Sequence, residues 1–172
     1  MLPRLLPLLC VLFLSDTSLL AQSLAKVGGV PETCPVTKPS DQPFVPPFPI
    51  PAKQDKGNFW FGTDRLWTQL PANGTWNGLP HPKPNESALG QKLFFGRQGY
   101  NAFKEPQPRL RVAGKRLDAL APPLLASRAT SAIVKPDEHY MLVGAEFPTL
   151  GCWEVTANYE DDELTFVVWI AK

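Results

Sequence analysis

The chain has 172 residues, 17 of them basic and 16 acidic, with 44% apolar side chains and 20 prolines. That is enough sequence for one ordinary domain with a real core, and the near-neutral balance excludes an overall electrostatic footprint for nucleic acid or anionic lipid. No segment after the amino terminus reaches the run of about 18 apolar residues that a transmembrane helix requires.

Met1-Leu2-Pro3-Arg4 supplies a short, singly positive start, and Leu5 to Leu14 is an almost purely apolar run. That run has the length of a signal-peptide core and is too short to cross a bilayer. Small residues follow at two cleavage positions, after Ala21 or after Ala25. The order of charge, apolar run and small residues predicts an export signal over residues 1–21. The alternatives are a buried hydrophobic helix and a lipoprotein anchor at Cys10, which has no small residue just before it. Removing residues 1–21 leaves 172 − 21 = 151 residues, and since Arg4 and Asp16 leave together, the net charge stays at +1. Two cysteines remain, Cys34 and Cys152. In an oxidising compartment a lone pair of cysteines forms a disulfide more often than two separate buried thiols. A Cys34–Cys152 bond is therefore expected.

Residues 22–57 read as an extended proline-rich segment, with eight prolines between Pro31 and Pro51. Proline lacks an N–H donor and fixes φ, so this stretch is neither a helix nor a central strand. A pure linker would seldom carry Phe44, Val45, Phe48 and Ile50. These side chains are expected to dock on the domain surface.

From Asn58 to the carboxyl terminus the pattern becomes short period-two runs broken by Pro, Gly, Asn and Asp. Strands are predicted over 64–70, 91–95, 109–114, 127–133, 140–147, 152–159 and 163–170. Residues 71–74 and 80–85 have turn or loop chemistry. Residues 117–125 are rich in Leu and Ala but are interrupted by Pro122-Pro123. Strands of this number and spacing predict an all-β, immunoglobulin-like antiparallel sandwich over 58–172. Met141, Val143, Ala145 and Phe147 alternate inward. A two-residue turn at Asp161-Asp162 in the last hairpin places Tyr159 opposite Leu164, Ala157 opposite Phe166, Val155 opposite Val168 and Trp153 opposite Ile170. Cys152 then lies on the outer face with Val167 and Trp169, where the Cys34 segment, with Phe44 and Phe48, would cover them.

Phe147-Pro148-Thr149-Leu150-Gly151-Cys152-Trp153-Glu154-Val155-Thr156, followed by Leu164-Thr165-Phe166-Val167-Val168, resembles the C-terminal signature of small exported bacterial proteins of uncharacterised activity. Asp64-Arg65-Leu66-Trp67 with Leu70-Pro71, and Arg116-Leu117-Asp118 before Pro122-Pro123, are similar to other recurring stretches of that family. The Phe-x-x-x-Gly-x-aromatic-x-Val part is also similar to the penultimate strand of many immunoglobulin-like and PKD-like domains. The resemblance implies export and a sandwich fold, and it carries no activity.

Residues for chemistry are sparse. The two histidines are His81, in a proline-rich loop, and His139, at a strand start. There is no Gly-x-Ser-x-Gly elbow, phosphate loop or zinc cysteine cluster. His139 and Met141 share a strand face, as a copper site would want, but no histidine closely follows Cys152. Glu160 to Glu163 lacks the alternating ligands of a calcium loop. Glu146 and Glu154 have no reason to converge as a glycosidase pair. The basic cluster Arg109, Arg111, Lys115 and Arg116 reads as a solvated strand face. Aromatics are the remaining signal: Phe59, Trp60, Phe61, Trp67 and Trp76 fall within 18 residues. Most of these suit a sandwich core. Trp60 and Trp76 are the candidates for stacking on a ligand, and Trp76, between Gly74 and Gly78, is expected to be exposed. The expectation is a non-catalytic domain without cofactor, periplasmic or extracellular, that binds a protein or a polysaccharide. The alternatives are a carbohydrate-binding module and a small metal-binding or enzymatic protein.

Overall fold

The computed structural model describes residues 29–50, 57–77, 79–80 and 89–172. The predicted export signal, both cleavage positions, Cys10 and the loop carrying His81 lie outside them.

The architecture is all-β, two sheets packed face to face. The larger has seven strands. β1 (Asn58–Thr63) pairs β2 (Leu66–Pro71), which pairs the start of a central ladder, β5 (Leu89–Gly96) on β9 (Glu138–Phe147). β4 (Leu79–Pro80) lies on the same side of β5 as β2, and β7 (Leu125–Ala126) and β8 (Thr130–Lys135) share the far side of β9. The smaller sheet has the order β3 (Thr75–Asn77), β11 (Asp162–Ala171), β10 (Gly151–Tyr159), β6 (Arg111–Arg116). Only the β3–β11 pair within it is parallel.

Period-two alternation explains the core. Met141, Val143, Ala145 and Phe147 of β9 are buried between the sheets, as are Trp153, Val155, Ala157 and Tyr159 of β10 and Leu164, Phe166, Val168 and Ile170 of β11. Their neighbours in sequence face outward, so a slip by one residue would exchange core and surface. The hairpin departs from the expected register by two residues. Tyr159 pairs Asp162, Ala157 pairs Leu164, Val155 pairs Phe166 and Trp153 pairs Val168. The turn centres on Glu160-Asp161, with Glu160 in the left-handed region at φ 53°. A two-residue shift keeps every side chain on its face. Hydrophobic pattern therefore does not choose between the two registers, and the turn does. Arg97, from the loop after β5, pairs Glu160, and Arg65 pairs Asp162 at 2.6 Å.

The proline-rich segment is a strap. Cys34 is bonded to Cys152, with Cα atoms 5.6 Å apart. Cys34 and Val36 pack with Cys152, Val167 and Trp169 on the outer face of the smaller sheet. Thr37 fastens this contact twice: its N–H donates to the Val167 carbonyl at 2.8 Å, and its Oγ1 accepts the Val167 N–H at 2.9 Å. The chain then passes to the other side of the molecule. Phe44 and Ile50 pack with Trp60, Trp67, Tyr140 and Ala132 on the outer face of the larger sheet. This corrects the expectation that Phe44 and Phe48 cover the Cys152 face: Phe44 serves the opposite sheet, and Phe48 is 93% exposed. Cys34 and Val36 already fill the space over Trp169, and the strap's prolines carry the later residues past the edge.

Candidate functional site

β1 is an edge strand, and the described residues place no strand on its outer side. Between this edge and the strap runs a groove of about 360 Å³. One wall is aromatic. Phe59 and Phe61 reach it from the inner face of β1 and Trp60 from the outer face, and Phe44 of the strap joins them. Lys38, Ser40 and Gln42 of the strap form the polar wall. Ser40 Oγ donates to the Gln42 carbonyl at 2.7 Å, which turns the strap at this point. Gly62, at φ 131°, closes the end of β1, and a Cβ there would sit 2.3 Å from the Leu66 carbonyl oxygen. The aromatic wall is held from behind: Trp60 stacks on Tyr140 with ring centres 6.5 Å apart, and Phe44 lies 5.9 Å from Trp67. Burial raises the Tyr140 phenol above its ordinary pKa, and its hydrogen bond to Glu138 Oε1 at 2.9 Å adds to the shift.

The two tryptophans singled out in the sequence do not form one surface. Trp60 lines the groove but is only 7% exposed, because Tyr140 occupies one ring face. Trp76 is not exposed as expected. It is 9% exposed and packs in the core against Phe147 and Phe166. It pairs Ile170 of β11 in parallel, and both side chains enter the core. Among the groove residues that the sequence did not reveal are Phe44 and Phe61 of the aromatic wall and Lys38, Ser40 and Gln42 of the polar wall. Phe44 gave no signal of which sheet it would meet.

A second, polar depression of about 290 Å³ lies where the 97–105 loop meets Tyr159. Tyr159 donates its hydroxyl to Glu105 Oε2, and Arg97 sits 5.3 Å from the centre of the Tyr159 ring. Burial and the Glu105 hydrogen bond raise the Tyr159 phenol above its ordinary pKa. Tyr100 donates to the Glu105 carbonyl at 2.9 Å, and Glu105 Oε1 accepts the Arg109 N–H at 3.2 Å. The carboxylate is thus spent on holding the loop.

His139 is similarly committed. Its Nδ1 accepts the Ala102 N–H at 3.3 Å and its Nε2 donates to the Pro136 carbonyl at 3.0 Å, an assignment that follows from the partners. Glu146 and Glu154 lie on the outer faces of different sheets and point away from one another, and Glu154 pairs Lys115 at 2.8 Å. Among the described residues no three His, Cys, Asp or Glu side chains come together as a metal site would require, and no helix is long and apolar enough to cross a membrane.

Two stretches quoted for the family resemblance meet in space. Arg116 donates to Asp118 at 2.7 Å and to Thr149 Oγ1 at 3.1 Å, and it packs over Gly151, where a Cβ would come within 2.5 Å of its guanidinium. Asp118 in turn accepts the Cys152 N–H at 3.1 Å. These residues fix the corner that presents Cys152 to the strap. Comparison of the chain with protein-family models, with curated proteins and with solved structures finds no match in any of the three.

Proposed function

We propose that this chain is an exported, non-catalytic binding domain of the immunoglobulin-like sandwich kind, and that its ligand lies in the groove between the strap and β1. Export is supported by the order of features in residues 1–21 and by the disulfide, a bond that persists mainly in oxidising compartments. The observation that carries the binding site is the six-residue edge strand lined by aromatic side chains on one side and a polar strap on the other. An extended polypeptide segment can add to such an edge through main-chain hydrogen bonds, with alternate side chains entering the aromatic wall. A polysaccharide is the second reading. It is favoured by Lys38, Ser40 and Gln42, which can hydrogen-bond hydroxyls beside the rings of Phe44 and Phe61. The disulfide lies outside the sandwich, whereas antibody-type domains join their two sheets through the core.

Gln42 is exposed, so Gln42→Trp fills the groove from the strap side without entering the core. Wild type and variant are compared on a peptide array and by co-sedimentation with cellulose, chitin and peptidoglycan. Retention on one class of ligand, lost in Gln42→Trp at unchanged melting temperature, is the expected result. Equal retention of both proteins on every ligand overturns the assignment of the groove.

A further inference from the structure

At the opposite edge of the sandwich, where β6 of the smaller sheet approaches β7 of the larger, there is a second groove of about 370 Å³. Arg109, Arg111 and Arg128 all line it, with Gln107 and Ser127 as polar neighbours and no Asp or Glu. The sequence places Arg109 and Arg111 on one strand face. Arg128 joins them from the connection between β7 and β8, close to where the Leu124 N–H donates to the Gly114 carbonyl of β6 at 3.1 Å.

Two features separate this groove from an ordinary solvated basic face. The first is the absence of partners. Every other described arginine is neutralised locally, Arg116 by Asp118, Arg65 by Asp162 and Arg97 by Glu160, and so are Lys115 by Glu154 and Lys135 by Glu138. In a chain with 17 basic and 16 acidic residues, three arginines that line one groove without an ion pair among the described residues are a local excess of charge. The second is a fixed backbone. Arg109 lies between the buried Pro108 and Leu110. Arg111 opens β6 and pairs Asn158. Arg128 is held between Ser127, which exchanges hydrogen bonds with Gly144 at 2.8 and 2.9 Å, and the buried Ala129. A fixed backbone leaves only the side chains to be ordered when a ligand is gripped. The planar fork of arginine matches carboxylate and phosphate oxygens in pairs.

We infer that the groove between β6 and β7 is a binding site for a multivalent oxyanion, with Arg109, Arg111 and Arg128 as its ligating residues. The shared chemistry is a planar or tetrahedral oxygen cluster bearing at least two negative charges. Such clusters are supplied by phosphate esters or by the carboxylates of an acidic sugar polymer.

The test uses the full mature chain at constant ionic strength, titrated calorimetrically with inorganic pyrophosphate, short-chain polyphosphate and oligogalacturonate. The variants are Arg111→Gln, Arg128→Gln, the triple Arg109→Gln/Arg111→Gln/Arg128→Gln and, as a control, Lys115→Gln. Each single groove variant is expected to weaken binding about tenfold or more, the equivalent of one lost charged hydrogen-bond pair. Lys115→Gln should change it by less than about twofold, because that lysine is already paired with Glu154. Binding of the phosphate probes alone assigns a phosphate ligand, and binding of oligogalacturonate alone assigns a carboxylate polymer. Either outcome supports the site. All four substituted residues are exposed, so folding is checked by melting temperature. Wild-type affinity no greater than that of the triple variant for any probe, or an equal loss in Lys115→Gln, overturns the inference.

Discussion

At the scale of single residues, Gly96 and Asp118 show how little freedom some positions have. Gly96 ends β5 beneath the Trp67 indole, and a Cβ added there would lie 2.2 Å from Trp67 Nε1. Trp67 cannot withdraw, being itself buried among Trp60, Tyr140 and Ile50. Gly96→Ala is therefore expected to destabilise by about 1–3 kcal/mol, the usual cost of overpacking, read as a lower melting temperature. Asp118 acts through charge. The Arg116 hydrogen bond holds its carboxyl below the ordinary value near 3.8, against the opposing effect of burial, and the Cys152 N–H adds to the lowering. A carboxyl whose folded pKa lies below its unfolded one stabilises fully at neutral pH. That contribution begins to fade as pH falls below about 4 and is lost as pH passes through the depressed folded value. Asp118→Asn should be less stable than wild type by about 1 kcal/mol at pH 7. The gap should narrow in denaturant melts between pH 4 and pH 2. A constant difference across that range would contradict the role given to the charge.

At the scale of elements, the strap explains both what could be read in the sequence and what could not. β9, β10 and β11 were legible because one face of each enters the core while most of the other is half-buried or exposed, which leaves the alternation readable. β1 was not legible as a strand. Its Phe59-Trp60-Phe61 is apolar on both faces, since the core takes Phe59 and Phe61 while Trp60 goes into the outer cluster that the strap caps. Local pattern cannot show a cover that arrives from outside the strand, here from Ile50 and Phe44, 10 and 16 residues upstream of Trp60. The hairpin register failed for a related reason. Arg97 and Arg65, distant in sequence, pair with Glu160 and Asp162 of the observed turn, and neither contact can be read from the hairpin's own residues. Of the candidate site, the aromatic cluster was legible as composition, whereas Arg128 carried no local sign of its groove. Phe44 and Phe48 offer a paired test of the strap. Phe44→Ala removes a half-buried ring from Trp67 and should cost about 1–2 kcal/mol. Phe48→Ala removes an exposed ring and should stay within about 0.5 kcal/mol of wild type. Equal melting temperatures for the two variants would mean that the strap does not pack on the larger sheet.

At the scale of the whole molecule, the strap and the disulfide act as one closure. The cross-link joins residues 118 positions apart, so it encloses β1 through β9 in a single loop. On the loop-entropy account, restricting an unfolded chain of that length stabilises the fold by about 3–5 kcal/mol. The native state gives up little in return, since the Cα separation of 5.6 Å lies in the usual range. The sandwich retains its own core without the bond, because the buried residues of β9, β10 and β11 do not depend on Cys34. The Cys34→Ser/Cys152→Ser variant is thus expected to fold, with a melting temperature lower by roughly 10 °C for a domain of this size. Loss of the tether should act first on the part of the strap that packs over Trp169. Limited proteolysis of the double variant should cleave within residues 31–37 and leave the segment from β5 to β11 intact, while the oxidised wild type resists at both places. Cleavage that begins inside β9 to β11 would show that the disulfide supports the sandwich core directly, and the division between strap and sandwich would have to be abandoned.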